Sequence, residues 1–119
     1  MKVRCIRLRD QSNTSQVRSS WLKIGQTYHV LAIEITPGCT MLRLIGEEPV
    51  SALFEPELFE VVTSAIPSIW VVSSAKPGYV VIGPALFASP GFLERYYDRN
   101  PDAVAGFDEE CKKIRSGEP

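Results

Sequence analysis

Histidine occurs once in the 119 residues, cysteine occurs three times, and neither G-x-x-x-x-G-K-[ST] nor G-x-G-x-x-G is present. Each scarcity removes a class of chemistry. With His29 alone, a metal site has no second imidazole, and any Ser-His or Cys-His mechanism rests on one side chain. Tyr28 and Val30 flank it in a strand pattern, where a structural histidine is the ordinary occupant. Cysteines 5, 39 and 111 are odd in number and far apart, with no C-x-x-C, which fits reduced thiols better than a disulfide framework, although the spacing leaves room for a single pair. Without a phosphate-cradling loop, nucleotide hydrolysis is excluded as a first reading.

Long apolar runs are missing too. No segment approaches the length of a membrane span, and "MKVRCIRLRD" alternates charge with apolar residues instead of forming the apolar stretch of a secretory signal. The expectation is a cytoplasmic protein without membrane contact. Net charge is −1, so no overall field would hold the surface on nucleic acid or anionic lipid.

What is present is an ordinary globular balance, 45% hydrophobic and 23% charged, in a length that suits one domain with one core. No repeat, low-complexity tract or linker divides it. The chain reads as a single domain over 1–119, strand-rich over 1–84 and helical over 89–116. The segment from Val3 to Leu8 suits a strand, and Asp10 to Ser20 is a polar tract that reads as a loop. Between Tyr28 and Ile35 both alternating faces are largely apolar, which predicts a central strand buried on both sides. "TPGC" and "KPGY" place Pro and Gly at the central positions of type II turns and so predict hairpins. "EPEL" suits a 3₁₀ or type I turn before a strand at "FEVVTS". Six or seven short strands follow from this spacing, in a small, partly open barrel or curled antiparallel sheet of the α+β class, mainly β.

The tail changes period. Ser89-Pro90 reads as a cap and first turn ahead of Phe92, Leu93, Tyr96 and Tyr97. Asn100-Pro101 caps a second helix whose Val104, Phe107, Cys111 and Ile114 form a core-facing stripe. Asp108 with Lys112, and Glu109 with Lys113, stand at favourable i,i+4 spacing.

Charge is unevenly distributed. Residues 1–25 carry Lys2, Arg4, Arg7, Arg9, Arg18 and Lys23 against Asp10, whereas residues 47–60 carry five glutamates and no base. Paired carboxylates do acid–base work only where burial or a like charge raises one pKa, and calcium needs oxygens converging on one point. Glu47, Glu48, Glu55 and Glu57 lie instead beside Pro49 and Pro56 in turns that face water, and only Glu60 lies within a strand. The expectation is no catalysis, no cofactor and no metal. A partner surface formed by Glu47, Glu48, Glu55 and Glu57, at neighbouring turns on one rim, is the use such residues allow. The basic segment "KVRCIRLR", with Arg18, Lys23 and the stacking face of Trp21, supplies the rival reading of a small barrel that binds nucleic acid. Lysine and arginine on an edge strand also have the plain use of blocking aggregation.

"LKIGQTYHVLAI", "LFEPELFEVV" and "IPSIWVV", spread over about residues 20–97, resemble the pattern of small bacterial proteins of Src-homology-3-like barrel type associated with toxin immunity. The resemblance implies a toxin–antitoxin setting and an immunity protein that neutralises a cognate toxin by binding it, without chemistry of its own. A nuclease toxin has a basic groove, which an acidic surface would complement.

Overall fold

The computed structural model describes residues 1–8 and 19–117. Among the described residues, eight strands and two α-helices follow one another in an α+β, mainly β arrangement. They are β1 (Lys2–Cys5), β2 (Thr27–His29), β3 (Ala32–Thr36), β4 (Cys39–Ile45), β5 (Ser51–Phe54), β6 (Phe59–Thr63), β7 (Trp70–Lys76), β8 (Tyr79–Pro84), α1 (Phe92–Tyr97) and α2 (Pro101–Ser116). The strands form two open antiparallel sheets, a three-stranded one in the order β2-β1-β6 and a five-stranded one in the order β5-β4-β3-β8-β7. Arg9 and most of the polar tract from Asp10 lie outside the described residues; its end, Ser19–Trp21, forms a 3₁₀ turn.

The apolar run from Tyr28 to Ile35 is not one central strand. It is divided between the sheets, β2 in the small one and β3 in the large one. Val30 and Leu31 are the crossing point: the Val30 amide donates to the Met1 carbonyl at 3.0 Å and the Leu31 amide to the Arg43 carbonyl at 2.8 Å. Both side chains are buried because each lies where two sheets meet, so the two-sided apolar pattern has a different origin from that expected. The basic strand β1 is likewise not an edge, since it pairs with β2 on one side and β6 on the other.

Turn chemistry behaves as the sequence dictates. Thr36 pairs with Cys39 and Lys76 with Tyr79, and Gly38 and Gly78 take positive φ, 79° and 83°. "EPEL" gives the 3₁₀ turn Pro56–Leu58.

The helical tail closes the core. α2 starts on Asn100, whose side chain accepts from the Ala103 amide at 3.1 Å, with Pro101 in the first turn. Ala103, Phe107, Cys111 and Ile114 are buried along one stripe, with Val104 beside them half-buried. Lys113 pairs with Glu110 at 3.4 Å, three residues back rather than four. Ser89 does not cap α1. A 3₁₀ turn occupies Ala85–Ala88, and the cap is Gly91 at φ 74°. α1 packs on α2 through Tyr96, whose ring stacks on Phe107 with centroids 4.1 Å apart, and Phe87 also stacks on Phe107, at 4.7 Å.

Candidate functional site

Arg43 is the charged residue in the middle of β4, between Leu42 and Leu44, and it is only 4% exposed. Register explains how it is tolerated. Arg43 stands opposite Ala32 on β3 and Leu53 on β5, so Glu34 and Ser51 are its diagonal neighbours, within reach of a long side chain. Its Nε donates to Glu34 at 2.5 Å, and Nη1 donates to Ser51 Oγ at 3.1 Å and to the Tyr97 hydroxyl at 2.6 Å. The Tyr97 hydroxyl in turn donates to the Ser51 carbonyl at 2.9 Å, and the Tyr96 hydroxyl accepts from the Ser51 amide at 3.1 Å. Burial opposes the charge on Arg43, but the hydrogen bond and attraction of Glu34, helped by Tyr97, more than offset it and hold its pKa above the ordinary value.

This network adjoins a cavity of about 370 Å³ lined by Trp21, Arg43, Val50, Ser51, Ala52, Leu53 and Tyr97. β5 forms one wall and is an edge strand of the large sheet. Trp21 is held against the β4–β5 turn by its backbone: the Glu47 amide donates to the Trp21 carbonyl at 2.6 Å, and a Cβ on Gly46 would collide with that same carbonyl. Only glycine allows this approach.

The four glutamates expected on one rim fall into two pairs. Glu47 and Glu48 are exposed in the turn before β5, and Glu55 and Glu57 are half-buried after it. They are not neighbouring turns, because four extended residues, roughly 13 Å, separate them. What joins them is β5 and its cavity. Glu47 accepts from the Tyr28 hydroxyl at 2.9 Å, and Tyr28 in turn accepts from the Lys23 amide at 3.0 Å. Burial first, and Glu47 in addition, push the Tyr28 phenol up to about 12. Glu55 and Glu57 line a second hollow with Gly38, Cys39 and Thr40.

The remaining candidates are dispersed. His29 is half-buried on β2, opposite Lys2. Cys5 and Cys111 are buried thiols whose pKa burial raises, Cys111 to about 12, and Cys39 is exposed in the hairpin turn. Among the described residues no three His, Cys, Asp or Glu gather in a group that could hold a metal ion. In the basic segment, Arg4 faces Glu60 across the β1–β6 pair and forms an ion pair with it, and Arg18 lies outside the described residues. No helix among the described residues is long and apolar enough to cross a membrane.

Sequence reasoning missed Arg43 and Tyr97 as parts of a site. The available signal was a lone charge inside each of two apolar strands, "IEI" and "LRL", since a charge at such a position must find a partner of opposite sign. Compared with protein-family models, characterised proteins and solved structures, the chain matches none.

Proposed function

We propose that the protein is a binding module of immunity or regulatory type, which engages a protein partner along β5 and blocks it by occupancy rather than by chemistry. The observation that carries this reading is the cavity on that edge strand, where Trp21, Tyr97 and Arg43 lie together. These are the residue types that dominate binding energy at protein interfaces. The acidic turns at both ends of β5 give a polar rim and favour a partner with basic surface, as a nuclease toxin would present. The rival nucleic-acid reading loses support because Arg4 is engaged by Glu60.

The test is affinity capture from cells followed by reconstitution with the purified partner. A stoichiometric protein complex, with association that slows as salt rises and slows again on Glu48→Lys, is expected. Salt-sensitive oligonucleotide binding with no protein partner would overturn the reading.

A further inference from the structure

We propose that β7 is a self-pairing edge: two copies of the protein join antiparallel through this strand about a twofold axis at Val72, so that two five-stranded sheets become one of ten. The inference is independent of the binding-module reading, because β5, the contact edge of that reading, is the opposite end of the same sheet.

Sheet ends are ordinarily blunted by shortness, cover or charge. β2 has three residues, β5 has four of which Ser51, Ala52 and Phe54 are buried, and β6 carries Glu60. β7 is the exception. It has seven residues, its only charge is Lys76 at the far end, and Val71 and Val72 are 45% and 72% exposed. Among the described residues no strand flanks it on the side away from β8.

Alternation fixes which main-chain groups are open. Thr36 and Cys39 close the β3–β4 hairpin as a hydrogen-bonded pair, so Ile33 and Ile35 turn their amides and carbonyls toward β8. Ile82, opposite Ile33, uses its own groups there, and Val72, opposite Ile82, therefore directs its amide and carbonyl to the open edge. A second strand takes both bonds.

The sequence of β7 supplies that strand. Opposed residues share a face, so β7 paired antiparallel with itself joins even positions with even and odd with odd. Centred on Val72, the register sets Val72 against Val72 of the copy, Val71 against Ser73 and Trp70 against Ser74. Branched side chains meet on the axis and large ones meet small ones beside it. Lys76 falls opposite Ser68 rather than its own copy, so no like charges face each other. A charged segment would find no counter-ion along Trp70 to Ser74, whereas this neutral strand needs none. Trp70 Nε1 is the one buried side-chain polar atom without a partner among the described residues, and the register places a hydroxyl of the copy beside that ring. Ser74 donates to the Lys76 carbonyl at 3.1 Å, which leaves its oxygen able to accept.

The joint is short. The register with β8 shifts between Ser73 and Lys76, which ends the regular edge near Ser74. Five paired residues span about 17 Å, well short of the roughly 800 Å² per partner of a stable interface. The dimer is accordingly reversible, with a Kd on the order of 100 μM.

Sedimentation equilibrium from about 20 μM to about 2 mM is expected to show monomer passing to dimer and no larger species, because a twofold contact closes on itself. The indole N–H resonance of Trp70 should move with the same midpoint. Val72→Lys sets two ammonium groups on the axis and should weaken association at least about tenfold, with the unfolding midpoint at low concentration unchanged because the position is exposed. Val72→Glu should do the same. An equimolar mixture of the two variants should recover the dimer, since position 72 of one copy meets position 72 of the other. A native protein that stays monomeric throughout, or that grows into larger oligomers, would overturn the proposal. So would a Val72→Lys variant that associates like the native protein, a mixture that associates no better than either variant alone, or a dimer that forms with Trp70 unmoved.

Discussion

The hydroxyl of Tyr97 lies 2.6 Å from Nη1 of Arg43, joining residues 54 positions apart and fixing the end of α1 to the middle of β4. The same hydroxyl donates to the Ser51 carbonyl, so a single phenol bridges β4 and β5 at the cavity wall. A buried ion pair of this kind adds little net stability compared with apolar residues of the same shape, yet breaking it by removing one partner is costly. Its value here is positional, since it presents Arg43 and Tyr97 to one cavity.

Removing the carboxylate is therefore expected to hurt more than removing the phenol. Glu34→Gln leaves a buried guanidinium without its counter-ion and should cost about 3–5 kcal/mol. Tyr97→Phe, which withdraws the acceptor from Arg43 and the donor from the Ser51 carbonyl, should cost about 1–3 kcal/mol. The two share Arg43, so the double variant should lose less than the sum. Urea unfolding of the four proteins measures the cycle, and strict additivity would show that the bonds do not act as a unit.

α2 reaches the same site through packing. Phe107 is fully buried and stacks on Tyr96, whose hydroxyl accepts from the Ser51 amide. Phe107→Ala should cost about 3–5 kcal/mol. Amide exchange at Ser51 should accelerate beyond the global effect, because the Tyr96 ring loses its support. An unchanged unfolding midpoint would refute a structural role for the stripe.

What was legible in the sequence was what neighbours decide. The Pro-Gly hairpins, the Asn100 cap and the α2 stripe depend on a few adjacent residues, and all form. The division of Tyr28 to Ile35 between two sheets was not legible, because a strand buried on both faces and a chain crossing between layers leave the same apolar pattern. Ser89-Pro90 has the chemistry of a cap, but the preceding 3₁₀ turn moves the helix start on to Phe92. The acidic residues were visible and their separation was not, since it depends on the length and register of β5. The cavity draws on residues from 21 to 97, and no local pattern brings these together.

Alkaline pH should loosen the joint between β2 and the β4–β5 turn. Tyr28 titrates near 10 when unfolded and near 12 in the folded protein. Its contribution is fully present below pH 10 and is lost as pH rises through 12, because the unfolded chain releases the proton first. The unfolding midpoint should fall across that window, and fall less steeply in Tyr28→Phe. Parallel curves for the two proteins would show that the phenol is not linked to folding.

The two acidic ends of β5 should act on a partner independently. Glu48 is exposed and Glu57 is half-buried, so reversing either to lysine should change stability by less than about 1 kcal/mol. Each reversal turns attraction into repulsion for a basic partner, lowers its association rate and flattens the dependence of that rate on salt. The ends are roughly 13 Å apart, about the length of β5 and beyond the range at which substitutions usually couple. The logarithm of the association rate for Glu48→Lys/Glu57→Lys should then equal the sum of the two single effects at low salt. Stopped-flow mixing with the captured partner measures all four rates. If Glu48→Lys alone slows association and Glu57→Lys does not, the partner covers the cavity end of β5 and stops short of the Pro56 turn. If neither changes the rate, the glutamates are solvated turn residues and β5 is not the contact edge.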